Sequence, residues 1–169
     1  VSNGDTIVLD VGTTTTAIAT ALGARDDLHS VTVVTNGLNI ALELERAAPR
    51  LAVVVSGGTL RPLQHSLVNP LAETLLAGIN ADLAFVGCNG VHPERGITNV
   101  NLPEAEVKRR MLALAARRVI VADGSKLGQV AVAHLCDVGD IDLLITGESA
   151  PPAVLEELEG LDVTVEVAG

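Results

Sequence analysis

Two lysines stand apart in this sequence. Of its eleven basic residues nine are Arg, and the only lysines, Lys108 and Lys126, fall in two short motifs whose residue types suit one anion site. A compact ammonium with rotatable donors acts as a point charge where a planar guanidinium would impose a fork. The first motif, Glu104-Ala105-Glu106-Val107-Lys108, sets a carboxylate and an ammonium at i and i+4, on one side of a predicted helix. An exposed pair there, worth roughly 0.3–0.5 kcal/mol, accounts for the spacing but not for the choice of Lys. The second motif, Asp123-Gly124-Ser125-Lys126, follows the apolar run Val119-Ile120-Val121-Ala122. It reads as a loop leaving the C-terminal end of a buried strand, where open α/β sheets place their ligands.

Other loops carry matching chemistry. Asp10-Val11-Gly12-Thr13-Thr14-Thr15-Thr16 follows the first apolar run, with a glycine for close backbone approach and threonines at the start of the next helix. Backbone N–H groups at a helix N-terminus, joined by hydroxyls, form a phosphate cradle. The motif is neither a Walker A sequence nor a dinucleotide fingerprint. The next three runs end in Thr35-Asn36-Gly37, Ser56-Gly57-Gly58 and Gly87-Cys88-Asn89-Gly90. Each alone is an ordinary turn dipeptide context. Their recurrence matters more, because parallel strands bring all their C-terminal ends to one edge and would converge these groups with Asp123 and Lys126 into an anion-binding crevice.

The elements that must position these loops follow from hydrophobic runs. Val-, Ile- and Leu-rich segments at Thr6–Leu9, Val31–Val34, Leu51–Val55, Leu83–Val86, Arg118–Ala122, Leu143–Thr146 and Val163–Val167 do not alternate, as expected of strands buried on both faces. Helical patterns lie between them at Thr14–Leu22, Leu38–Ala47, Leu71–Gly78, Glu104–Arg117 and Ala153–Leu158. The succession predicts an α/β fold, an open and mostly parallel Rossmann-like sheet with helices on both faces and right-handed crossovers. Pro103, Glu104 and Glu106 mark the start of the fourth helix, and Arg117 and Arg118 are expected at its C-terminal end, complementing the dipole. Ser56 to Asn69 is expected as an irregular loop near the ligand edge. A further strand is expected at Val130–His134, in a small antiparallel elaboration.

Composition excludes several classes. The length of 169 residues suits one domain, 1–169, large enough to bury a core. Cys88 and Cys136 lack paired spacing, and His29, His65, His92 and His134 lack metal-ligand spacing, so no disulfide framework, metal or cofactor is expected. His65, beside Arg61 and Gln64 in the irregular loop, is the histidine placed nearest the expected site, and Cys88 reads as a small packed residue. A net charge of −10 argues against this chain gripping nucleic acid, and a single aromatic, Phe85, leaves no stacking platform for bases or sugars. No membrane span or signal peptide is legible, so a reducing cytoplasm is expected. The chain opens at Val1 rather than Met, as expected if an upstream portion has been removed.

In order and spacing, Asp10-x-Gly12-Thr13-Thr14, Thr35-Asn36, Ser56-Gly57-Gly58, Gly87-x-Asn89-Gly90, Glu104-x-x-x-Lys108 and Asp123-x-Ser125-Lys126-x-Gly128 resemble the C-terminal sensor domain of DeoR-family bacterial transcriptional regulators. Ile141-Asp142-Leu143-Leu144-Ile145-Thr146 also looks like that family, which often carries Asp where this chain has Gly147. The resemblance implies a ribose-5-phosphate isomerase and CoA-transferase-like fold that senses a phosphorylated sugar or related metabolite. It also implies an N-terminal winged helix-turn-helix, absent from this chain, through which a homodimeric or homotetrameric regulator, expected to be a repressor, reaches DNA. By the same resemblance Gly12, Thr13 and Thr14 cradle phosphate, and Thr35, Asn36 and the glycine loops Gly57, Gly58, Gly87, Asn89 and Gly90 line the sugar. Lys108 and Lys126 neutralise charge, Asp10 or Glu104 accepts hydroxyl hydrogens, Asp123 joins Lys126, and Arg61 helps close the site. A sugar-phosphate isomerase could be built from the same crevice, with a carboxylate base and a lysine electrophile. Its fourth loop, however, offers no carboxylate, so binding rather than catalysis is expected.

Overall fold

Non-alternating apolar runs have to be covered on both faces, and the chain meets that demand by wrapping helices around one parallel sheet. The computed structural model describes residues 1–161 and 163–168. The chain begins β1 (Thr6–Leu9), α1 (Thr13–Gly23), β2 (Val31–Thr35), α2 (Leu38–Leu44) and β3 (Leu51–Val55). It continues β4 (Thr59–Arg61), β5 (Ser66–Val68), α3 (Leu71–Leu76), β6 (Ala81–Gly87), β7 (Gly90–His92) and β8 (Gly96–Asn99). It closes with α4 (Leu102–Ala113), β9 (Ala115–Ala122), β10 (Ala133–Cys136), β11 (Leu143–Gly147), α5 (Pro152–Glu159) and β12 (Thr164–Ala168).

Seven strands form the main sheet in the order β12-β11-β9-β6-β1-β2-β3, and every pairing in it is parallel. Alternate residues of β1 and β2 serve opposite faces. Ile7, Leu9, Val31 and Val33 pack with Ala19 and Leu22 of α1 and Ile40 and Leu44 of α2. Val8 and Val34 point the other way, into a larger core with Ala72 and Leu76 of α3, Val107 and Met111 of α4, and Leu158 of α5. The seven expected strands and five expected helices are all present.

The differences lie at boundaries and in short pieces. The fourth helix stops at Ala113, and Arg117 and Arg118 sit on β9, paired with Leu83 and Ala84 of β6. Charged side chains at the outer end of a strand extend an apolar run without altering its backbone pairing, so helical periodicity carried too far there. Segment 56–69 is ordered: β4 and β5 form an antiparallel hairpin with Leu60 opposite Leu67. The extra strand is β10, shifted from the expected Val130–His134, and it joins β8 and β7 in a three-stranded antiparallel sheet.

One polar link crosses this core. Asp10 continues the parity of Val8 and so points toward α4, where its Oδ2 meets the Lys108 ammonium. Lys108 also donates to the Gly87 carbonyl at 2.9 Å, and the Gly87 N–H donates to Asp10 Oδ2 at 3.1 Å. The Asp10 side chain is 0% exposed and that of Lys108 5%. Burial pushes the Asp10 carboxyl above its ordinary value, and the Lys108 ammonium pulls it back part of the way.

Lys108→Met should therefore lower stability by about 3–5 kcal/mol by stranding a buried carboxylate, and adding Asp10→Asn should return part of that loss. Urea denaturation of both single variants and the double reads this, and a double variant that loses as much as the two singles added together would show the two residues to be uncoupled. Leu144→Ala, at a fully buried site on β11, should cost about 2–5 kcal/mol, whereas Leu42→Ala on the exposed face of α2 should stay within about 0.5 kcal/mol.

Candidate functional site

Parallel pairing sends the C-terminal ends of β1, β2, β3, β6 and β9 to one edge, and a cavity of about 470 Å³ opens there. Its first wall is the entry to α1. Gly12 precedes the helix at φ 155° and ψ 166°, a backbone region that is essentially restricted to glycine, and has no side chain with which to cap it. The Thr15 and Thr16 hydroxyls turn back and donate to the Gly12 carbonyl at 3.0 and 2.7 Å. Thr13 and Thr14 remain exposed on the cavity. The first-turn N–H groups of a helix have no partner within it, and here no side chain caps them either. They carry the positive end of the helix dipole toward the space that Lys126 also lines.

Lys126 closes a short 3₁₀ turn, Gly124–Lys126, after β9. Asp123 Oδ1 accepts from the Ser125 N–H at 2.9 Å, and hydrogen bonding from the Ser125 side chain and backbone holds the Asp123 carboxyl below its ordinary value. Among the described residues Lys126 forms no ion pair. Its charge is thus available to a ligand, whereas that of Lys108 is largely matched by Asp10.

Glu104 is not the partner of Lys108 that the i, i+4 spacing suggested. Arg61 of β4 pairs with its Oε1, and Ser66 of β5 donates to the same oxygen at 2.8 Å. Asn101 caps α4 by accepting from the Glu104 N–H at 3.0 Å, which sets Glu104 at the mouth of the helix and on the cavity. Asn89 also lines the space while its Oδ1 accepts the Val100 N–H at 2.9 Å, tying the β6 loop to the end of β8.

Of the residues expected in the site, Gly12, Thr13, Thr14, Gly87, Asn89, Glu104, Lys108, Asp123 and Lys126 line this one cavity. Asp10 lies behind it, beneath Lys108. Thr35 and Asn36 are fully buried and shape the wall from outside: Asn36 Oδ1 accepts the Val11 N–H at 2.9 Å and Thr35 Oγ1 accepts the Gly37 N–H at 3.0 Å. Gly57, Gly58 and Gly90 do not reach the cavity. Gly58, at φ 119°, lies where a Cβ would come within 2.1 Å of the Val68 carbonyl oxygen, so its smallness serves the hairpin. Arg61 acts through Glu104.

Sequence reading missed Asn39 and Asn99, which also line the cavity, as do His65 and its neighbour Gln64, named in the irregular loop. Asn39 donates to Thr16 Oγ1 at 2.8 Å, and Asn99 to the Asn101 carbonyl at 3.1 Å. Asn101-Leu102-Pro103-Glu104 is a legible helix start and could have located Asn99 just ahead of α4. Cys88 lines the cavity too and packs against the core, its thiol pushed up to about 12 by burial.

The model of the DeoR C-terminal sensor domain matches residues 1–148. The HTH-type transcriptional regulator GlpR of Haloferax volcanii is 36% identical over 164 residues, 97% of this chain and 62% of that protein. A putative aga operon transcriptional repressor of Escherichia coli O157:H7 is 34% identical over 166 residues, 98% of this chain and 60% of its own length. This chain thus spans about three fifths of these relatives. Among solved structures, ribose 5-phosphate isomerase A of Methanocaldococcus jannaschii superposes with a TM-score of 0.52 at 18% identity, over 75% of this chain and 48% of the isomerase, a likeness of fold alone. With the family model covering most of its length and regulators of that kind aligned along nearly all of it, the chain belongs to the DeoR C-terminal sensor domain family.

Proposed function

We propose that this domain takes a phosphorylated sugar or a related phosphorylated metabolite into the cavity and so governs a transcriptional repressor. The observation that carries the reading is the uncapped N-terminus of α1 facing the same space as Lys126. Together they offer backbone donors, the Thr13 and Thr14 hydroxyls and an unmatched positive charge, the chemistry of a phosphate subsite. Glu104, Asn89 and the remaining donor of Lys108 then meet the hydroxyls of the carbon chain. Binding outweighs isomerisation in this geometry. Glu104, the base that such a reaction would need, already accepts from Arg61 and Ser66 on one oxygen, and Asp10 lies beneath Lys108 outside the cavity.

The DNA-binding segment lies outside this chain in the proposal, a placement that the net charge of −10 supports. A homodimer would present two such segments, and a homotetramer four, in pairs with the spacing of a two-fold operator. Effector binding favours one arrangement of subunits through differential affinity, and a coupling of roughly 1–3 kcal/mol would change operator affinity about 5–150-fold. Among the described residues no helix is long and apolar enough to cross a membrane.

Thermal-shift screening against sugar phosphates and their unphosphorylated parents tests the reading, since a ligand that prefers the native state raises its apparent stability. A sugar phosphate should stabilise the domain and remain unchanged by NMR after prolonged incubation; clean conversion would point to an isomerase instead. Lys126→Met should weaken the phosphorylated ligand by about tenfold or more while leaving the parent sugar within about twofold, on the scale of a charge-assisted hydrogen bond. Equal loss for both would remove Lys126 from the phosphate subsite.

A further inference from the structure

Between β4 and β5 the chain makes a turn whose residues Leu63, Gln64 and His65 line the cavity. Nothing in the phosphate subsite needs them, yet the turn is held in place with care. His65 has a left-handed backbone, φ 54°, uncommon for a residue bearing a Cβ. Its carbonyl accepts the Leu38 N–H at 2.9 Å, and two residues later the Leu67 N–H donates to the Asn36 carbonyl at 2.8 Å. At the feet of the hairpin Arg61 and Ser66 both hold Glu104, itself a cavity residue. The turn is therefore fixed to two walls of the site.

Its side chains carry no such anchor among the described residues. Among the described residues neither the Gln64 amide nor the His65 imidazole makes a hydrogen bond, and the Leu63 side chain is 89% exposed. These are the groups that meet a ligand without first breaking an internal contact. A rigid backbone that presents unpartnered donors, acceptors and one apolar group is the form that specificity loops take.

We propose that Leu63, Gln64 and His65 select the effector, reading the carbon chain and its hydroxyls while α1 and Lys126 hold whatever phosphate is presented. The assignment rests on the sensor reading above. Gln64 and His65 would donate to and accept from hydroxyls, and Leu63 would cover the less polar side of the chain. Phosphate affinity and sugar preference thereby reside on separate elements.

Isothermal titration of this chain with inorganic phosphate, glycerol 3-phosphate, ribose 5-phosphate and glucose 6-phosphate tests the division. The unaltered chain should prefer one ester. Gln64→Ala combined with His65→Ala should weaken that ester by about three- to tenfold per lost hydrogen bond, flatten the ranking of the three and leave inorganic phosphate within about twofold. Circular dichroism melting should be unchanged, because these side chains are exposed. An unchanged ranking in the variant, or a parallel loss for phosphate and esters, would overturn the assignment. Lys126→Met provides the separate arm: if it leaves every ester unaffected while the turn variant flattens the ranking, the phosphate placement fails and the selecting turn stands. If the unaltered chain binds none of the four probes, both fall together.

Discussion

The buried contact between Asp10 and Lys108 is the constraint around which the site is arranged. It joins the end of β1 to the middle of α4 across the mouth of β6, with the Gly87 N–H and carbonyl each engaged in the same cluster. Two charges taken out of water must be matched closely or not buried at all. Once matched, they fix how far α4 can slide along the sheet. Glu104, one turn earlier on α4, inherits its place from that restriction, and the β4–β5 hairpin inherits its place from Glu104 through Arg61 and Ser66. A chain of polar contacts thus runs from the sheet centre to the rim of the cavity.

The division of charge follows from the same arrangement. Lys108 is matched by Asp10, Glu104 by Arg61, and Asp123 is engaged by Ser125, so among the described residues Lys126 is the basic side chain that lines the cavity without an ion-pair partner. The two lysines that looked alike in the sequence therefore differ in kind. One holds the architecture and offers a ligand a single remaining donor; the other offers a whole charge beside a helix N-terminus.

Much of this was legible beforehand because buried parallel strands leave an unmistakable trace. Runs such as Val119-Ile120-Val121-Ala122 have no polar face, so their number and order could be read directly, and with them the edge at which Gly12, Gly87, Asp123 and Lys126 gather. What stayed hidden was short or set by partners distant in sequence. The three-residue strands β4, β5 and β7 are too brief to show a period, and Thr59-Leu60-Arg61 carries no turn signal that separates a hairpin from a loop. Local spacing paired Glu104 with Lys108, but each found a partner across the fold, Arg61 at a separation of 43 residues and Asp10 at 98. Thr35 and Asn36 show the converse: expected to line the site, they stand at the edge where the cavity opens but face inward and hold backbone instead of lining the space.

Gly12 shows how a backbone conformation can dictate the residue ahead of a helix. A helix gains from Ser, Thr or Asp at the position before its first turn, and α1 forgoes that gain. At φ 155° and ψ 166° a residue bearing a Cβ would be strained, with that Cβ 3.1 Å from Thr15 Oγ1, so no capping residue fits and the first-turn amides stay uncapped. On the proposed reading, the same backbone that denies α1 a stabilising cap leaves its first-turn amides open to an anion, so stability and response are set against each other at one glycine.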